Sequence, residues 1–121
     1  MPKIQSAVLG ASGESLILSK LLLNGFIAGT APEFTKDFDL IVVSEDGNHS
    51  APIQVKTTTN RNLWRMVKKH EEVIEKLIYC FVRISEEIKE EQIFMIDSQT
   101  ISHVLKTSHQ IWLKIPALRI D

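Results

Sequence analysis

Four polar residues interrupt the hydrophobic pattern in the first half of the sequence, and their types suit phosphate chemistry. Asp39 lies near the start of one predicted strand, while Gln54 and Lys56 share one face of the next, because side chains alternate along a strand. Glu14 falls on the apolar stripe of a predicted helix, where a carboxylate is costly unless it is paired or bound to a metal. Oxygen ligands can hold Mg²⁺, and a lysine can place a water and offset charge on a phosphate. The set therefore indicates metal-assisted hydrolysis of a phosphodiester bond.

Each of these residues also has a purely structural explanation. A helix that begins after Ser12 and Gly13 would leave Glu14 at the rim of the core. Asp39 and Lys56 would equally form an ion pair on a solvated sheet face, which contributes little to stability. The residue types alone leave both explanations open.

Hydrophobic periodicity predicts the elements that must position these residues. The expected order is a helix over 5–24, strands over 26–31, 37–43 and 51–58, a helix over 62–76, strands over 77–84 and 92–96, and a closing helix over 98–108. The Asp46-Gly47 pair predicts a hairpin turn between the second and third strands. This order is typical of an α/β domain with one mixed sheet flanked by helices.

The second predicted helix rests on apolar residues spaced three and four apart. They are Leu63, Met66, Val67, His70, Val73, Ile74 and Leu77. His70 lies on this stripe, where a histidine is more often buried in the core or at its rim than bound to a metal. Cys80, in the most apolar strand, is expected to be buried and inert.

Composition sets wider limits. The 121 residues include 14 Lys or Arg, 15 Asp or Glu and one cysteine, for a net charge of −1. We expect a single domain over 1–121 without an internal disulfide or a cysteine-rich zinc site. The balance of charge excludes a uniformly basic coat but not a local basic patch. The apolar runs are short and no secretory signal is evident, so we expect a cytoplasmic protein that does not cross a membrane.

The same residues, in the same order, resemble the PD-(D/E)xK nuclease superfamily. The matching segments are Gly13-Glu14, Asn24-Gly25-Phe26, Asp39-Leu40-Ile41-Val42 and Ile53-Gln54-Val55-Lys56-Thr57. The superfamily includes type II restriction enzymes and archaeal Holliday-junction resolvases. The resemblance implies a restriction-endonuclease-like αβββαβ core and hydrolysis of DNA that depends on Mg²⁺ or Mn²⁺.

The resemblance also implies a role for each residue. Asp39 corresponds to the first acid and metal ligand, Gln54 takes the place of the second acid, and Lys56 corresponds to the catalytic lysine. The carbonyl of Val55 is expected to complete the metal shell. Glu14 resembles the helical glutamate that some branches of the superfamily use to bind metal or water.

Gln54 is the main departure from the superfamily pattern, since it removes one negative charge from the metal site. Weaker metal binding is expected, because hard cations prefer anionic oxygens. Asp37 is a candidate for the missing charge, provided that its strand has already begun there. Phe38 in place of proline before Asp39 is a minor departure.

A basic segment follows the lysine, and phosphate oxygens are its natural partners. Between Lys56 and Lys69 there are five basic residues and no acidic one. The predicted DNA contacts are Thr57, Thr58, Arg61, Arg65, Lys68 and Lys69, of which the four basic residues would share one face of the second helix. The alternative is an ordinary solvated face. Nothing in the segment reads bases, so recognition of DNA shape is easier to accommodate, and so small a domain is expected to act as a homodimer.

Two other interpretations remain. Gln54 leaves open a nuclease-fold DNA-binding or accessory protein that has lost catalysis. Residues 8–13 resemble the start of a dinucleotide-binding turn, but the third glycine is missing. That alternative requires residues 5–9 to be extended rather than helical.

Overall fold

A computed structural model describes residues 5–59, 64–85, 91–108, 112–113 and 119–120. Its helices are α1 (Ser6–Leu23) and α2 (Ser98–Ser108), with a 3₁₀ helix at Lys68–Glu71. Its strands are β1 (Ile27–Thr30), β2 (Leu40–Val43), β3 (Ser50–Thr59), β4 (Trp64–Arg65), β5 (Ile78–Ile84), β6 (Glu91–Asp97), β7 (Trp112–Leu113) and β8 (Arg119–Ile120).

One mixed sheet organises the chain. Its strand order is β1-β2-β3-β5-β6-β8, and β4 and β7 form a separate pair. β3 and β5 run parallel, whereas the other pairs in the main sheet are antiparallel. The prediction of an α/β fold with one mixed sheet flanked by helices is confirmed.

The two helices cover opposite faces of this sheet. On β5, Cys80 and Val82 pack with Ile17 of α1, while Tyr79 and Phe81 pack with Ile101 of α2. The alternation of side chains along β5 thus divides the interior into two apolar clusters. Burial raises the pKa of the Cys80 thiol to about 12, and its side chain is fully buried, as expected for an inert cysteine.

The helix predicted over 62–76 is wrong in the part that the structure describes. Residues 64–76 form β4, the 3₁₀ helix and irregular backbone, while residues 60–63 lie outside the described ranges. Trp64 donates its indole N–H to the carbonyl of Val82, at 3.0 Å, and Nδ1 of His70 accepts the Val67 N–H at 2.8 Å. These contacts stabilise a non-helical conformation of the segment, which the helical spacing of its apolar residues does not predict.

Residues 6–9 belong to α1, which removes the dinucleotide-binding alternative. α1 is also, at a mean hydropathy of 1.3, long and apolar enough to cross a membrane by length and composition. Core helices meet the same criterion. This helix contains Glu14 and Lys20 and packs on the sheet through Gly13 and Ile17.

The closest approach of α1 to the sheet is at Gly13. A Cβ atom at this position would lie 1.8 Å from the Thr57 hydroxyl oxygen, and that oxygen is buried without a hydrogen-bond partner. Thr57 therefore packs under the helix. The prediction that its hydroxyl faces DNA is wrong, because the side chain points to α1.

We expect Gly13→Ala to destabilise the fold. The new methyl group must push α1 away from β3, and overpacking of this kind costs about 1–3 kcal/mol. Better helix propensity offsets up to ~1 kcal/mol of that loss. Thermal unfolding monitored by circular dichroism should show a melting temperature several degrees lower.

Gly10→Ala is the matched control, since nothing lies within 4 Å of a Cβ there. It should raise the melting temperature slightly through helix propensity alone. Equal melting temperatures for the two variants would contradict the close packing of Gly13 on Thr57.

Candidate active site

Asp39 directly precedes β2. From this point towards Thr59, β3 is no longer paired with β2. Its N–H donates to the carbonyl of Ile53 at 2.7 Å, and its own carbonyl accepts the N–H of Ala31 at 2.8 Å. β3 runs on to Thr59, past the start of β2. This leaves an open edge of β3 next to the Asp39 side chain.

The Asp39 carboxylate occupies the beginning of that edge. Its Oδ2 accepts the N–H of Val55 at 2.8 Å. In an extended strand the N–H and C=O of one residue point to the same side, so the Val55 carbonyl is directed to this edge too. A carboxylate and a main-chain carbonyl oxygen are thereby placed side by side.

Glu14 approaches Asp39 from the α1 side of the sheet. It follows Gly13, whose packing on Thr57 sets α1 close to β3. Burial raises the pKa of the half-buried Glu14 carboxyl, and the negative charge of Asp39 raises it further. The two carboxylates therefore repel each other, and a cation between them would relieve that repulsion.

Lys56 reaches the same region from the opposite face of β3. Burial lowers the pKa of its ammonium, the positive charge of Lys69 lowers it further, and the negative charge of Asp39 opposes both effects. Asp39 is thus an electrostatic neighbour of both Glu14 and Lys56. Gln54 is half-buried and lies on the Lys56 face, as side-chain alternation predicts.

These donors fit a hard divalent cation. Two carboxylates, the Val55 carbonyl and the Gln54 amide offer only oxygen atoms, which Mg²⁺ and Mn²⁺ prefer. Within the described ranges, no group of three or more His, Cys, Asp or Glu residues could hold a metal. Any ion here would therefore depend on the amide and carbonyl oxygens to complete its shell.

Asp37 does not lie in the strand that would place it beside Asp39. β2 begins at Leu40, and Asp37 has a φ of 74°. The backbone at Asp37 is therefore not extended, so side-chain alternation does not place Asp37 on the same face as Asp39. Burial lowers the pKa of His70 and raises that of Tyr79; the negative charge of Asp37 opposes the first effect and adds to the second. The structure thus places Asp37 near the 3₁₀ helix.

The structure adds two residues to the surroundings of Lys56 that the sequence did not connect with it. His70 is buried, as predicted, and burial with the charges of Lys56 and Lys69 lowers its pKa to about 4. It is therefore neutral at physiological pH. Lys69 was predicted to bind DNA, and it also acts on the charge of Lys56. His70 and Lys69 both lie in the segment predicted as a helix, so no sequence signal indicated that they lie near Lys56.

The remaining predicted DNA contacts differ in exposure. Arg65 on β4 is exposed, as are Lys68 and Lys69 of the 3₁₀ helix, although not on the single helix face that was predicted. Thr58 is only 9% exposed, so the prediction that it offers a surface donor is wrong, although it lies on the same face of β3 as Gln54 and Lys56. Arg61 lies outside the described residues.

No protein-family model matches the sequence, and no curated protein matches it. Among solved structures, that of the bacterial homing endonuclease I-Ssp6803I matches with a TM-score of 0.59 over 82% of this chain and 70% of that chain. The two proteins share a fold. At 12% sequence identity, the likeness extends to the fold alone.

Proposed function

We propose that this chain is a Mg²⁺- or Mn²⁺-dependent endonuclease that hydrolyses DNA phosphodiester bonds, and that it belongs to the PD-(D/E)xK superfamily. The observation that carries the proposal is the approach of Glu14 and Lys56 to Asp39 from opposite faces of β3, at an open strand edge. The fold shared with a homing endonuclease supports it.

In the proposed site, Asp39 and Glu14 would hold the metal together with the Gln54 amide oxygen and the Val55 carbonyl. When bound, the ion polarises the phosphate and lowers the pKa of a water. Lys56 would donate hydrogen bonds to the attacking water or to a phosphate oxygen and offset the negative charge that develops during attack. Partial burial strengthens this effect, because less water screens the charge.

The proposed DNA path crosses the 3₁₀ helix. Arg65, Lys68 and Lys69 are exposed. They lie in the same segment as His70, and the charges of Lys56 and Lys69 both act on His70. We propose that these side chains contact the DNA backbone, and such contacts carry no sequence information. We therefore propose recognition of DNA structure rather than sequence.

We also propose that two copies of the chain act together. One edge strand of the sheet, β1, has no charged residue to prevent edge pairing. Exposed apolar side chains surround it, at Leu23, Phe26 and Ile27. This surface is suited to a second copy of the chain.

Gln54 supports a second candidate function, a DNA-binding or accessory protein without catalysis. The amide stands where the superfamily has an acid, and only two carboxylates approach the site among the residues described. Such a protein would bind DNA through the same basic segment and would bind the metal weakly or not at all.

The experiment that tests the proposal is cleavage of supercoiled plasmid and branched DNA with Mg²⁺, Mn²⁺ or EDTA, combined with calorimetric titration of each metal. The endonuclease predicts nicking that EDTA abolishes and measurable metal binding. DNA binding without metal binding or cleavage would favour the second candidate. Absence of DNA binding across a salt series would exclude both.

A further inference from the structure

The loop between β1 and β2 presents a phenylalanine to solvent. Phe34 is 97% exposed, more than any other large apolar side chain in the described part of the chain. Its φ is 66°, a left-handed backbone conformation that a bulky residue adopts only at an energetic cost. Strain of this kind persists where the surrounding structure imposes it, and it concentrates at functional sites.

Local hydrogen bonds hold Phe34 in this position. Thr35 donates both its N–H, at 3.1 Å, and its hydroxyl, at 2.6 Å, to the carbonyl of Pro32. At the base of the loop, the Ala31 N–H donates to the carbonyl of Asp39 at 2.8 Å. The loop that carries the Phe34 ring is therefore closed at Asp39, the central residue of the candidate site.

This closure limits the distance between Phe34 and the candidate site. Phe34 and Asp39 are five positions apart in the sequence, and extended chain spans at most ~3.4 Å per residue, so their Cα atoms lie within about 17 Å. Successive phosphates of one DNA strand are spaced by ~3.4 Å along the helix axis. The ring can thus reach bases within about five nucleotides of the bond to be cleaved.

We propose that Phe34 stacks on an unpaired or unstacked base beside the scissile phosphate, so that the site favours DNA that exposes such a base. This inference rests on the proposed endonuclease function and names its substrate class: duplexes interrupted by a bulge, mismatch or branch. Aromatic rings stack on any base, and apolar side chains enter base steps that are already weakened. The contact therefore reads DNA structure without reading sequence.

The position of the loop favours a base over a second protein copy as the occupant. Phe34 lies beyond the end of β1, in the loop closed at Asp39, whereas the apolar side chains suited to a second copy lie before and at the beginning of β1. Lys36, two residues further along, is exposed and offers a phosphate partner. The same loop also carries two exposed acids, Glu33 and Asp37.

The test is DNA binding without metal, measured by fluorescence anisotropy on two labelled duplexes that differ by one unpaired base. Phe34→Ala and Phe34→Leu should weaken binding of the bulged duplex about tenfold, which corresponds to the lower part of the stacking range, and change binding of the paired duplex less than twofold. Phe34→Trp should retain the preference. Val8→Ala, which removes another exposed apolar side chain, is the control and should leave both affinities unchanged.

Phe34→Gly adds a stability readout. Glycine adopts a positive φ freely, so this variant should melt at a higher temperature than the wild type and still lose the preference for the bulged duplex. A simple loss of folding would lower the melting temperature instead.

Three results would overturn the proposal: equal effects on both duplexes, no effect of Phe34→Ala on either, or no DNA binding by the wild type. A drop in molecular mass by light scattering in Phe34→Ala, with DNA binding unchanged, would assign the ring to a second copy. Because no metal is present, a protein that binds through Phe34 but never cleaves DNA would refute only the endonuclease. A protein that cleaves but ignores Phe34 would refute only this inference.

Discussion

Lys56→Met should reduce metal-dependent DNA cleavage by a factor on the order of 10²–10³, the usual effect of removing one donor that stabilises charge in a transition state. Methionine retains an unbranched apolar chain in the half-buried position but removes the ammonium group next to Asp39. DNA binding without metal should change less than threefold, because one phosphate contact among several is lost. The measurement is single-turnover cleavage at saturating enzyme.

Lys20→Met is the matched control. Lys20 is also partly buried, but it lies in the last turn of α1 and has no part in the proposed site. Its cleavage rate should equal that of the wild type. If Lys56→Met cleaves at the rate of this control, Lys56 has no catalytic role and the nuclease proposal loses its central residue.

The elements that were predicted correctly are those encoded by local sequence. The β2–β3 hairpin is an example: Gly47 has a φ of 78°, and the Asp46 carboxylate accepts the N–H of Asn48 at 2.9 Å and the hydroxyl of Ser44. Asp and Gly favour this turn for reasons contained within a few residues. The alternating strands on either side follow from the same local pattern.

The segment after β3 shows why the remainder of the fold was not predictable. Its apolar residues have helical spacing, but the Trp64 ring packs edge-to-face against Phe81 and Phe94, which are distant in sequence. The Arg83 guanidinium lies 4.7 Å from the centre of the Trp64 ring. Such contacts depend on β5 and β6 already being in place, so tertiary packing overrides the local periodicity.

In the candidate site, too, local rules predicted some features, whereas others depend on tertiary packing. Alternation along β3 predicted that Gln54 and Lys56 share a face, since that rule needs only the strand. The burial of Thr57 could not be predicted, because it depends on how closely Gly13 brings α1 to the sheet. The exclusion of Asp37 depends on where β2 begins, and strand ends are set by pairing rather than by composition.

Asp39→Asn should abolish measurable binding of Mn²⁺ and lower cleavage more than about a hundredfold, because a metal ion supplies several kcal/mol of stabilisation to such a reaction. The amide oxygen of asparagine can still accept the N–H of Val55, so the edge of β3 should keep its structure. The melting temperature should therefore change by only a few degrees. Calorimetry with Mn²⁺ and the single-turnover assay provide the two measurements.

Asp97→Asn is the control for this variant, because it changes the same kind of group in another place. The Asp97 carboxylate also accepts a main-chain N–H, that of Thr100 at 2.7 Å, but it lies on β6, separated from β2 by β3 and β5. Losing charge there should weaken the start of α2 by up to about 1 kcal/mol and leave metal binding intact. If both variants bind Mn²⁺ like the wild type, the Asp39 carboxylate only caps the N–H of Val55, and the open edge of β3 is not a metal site.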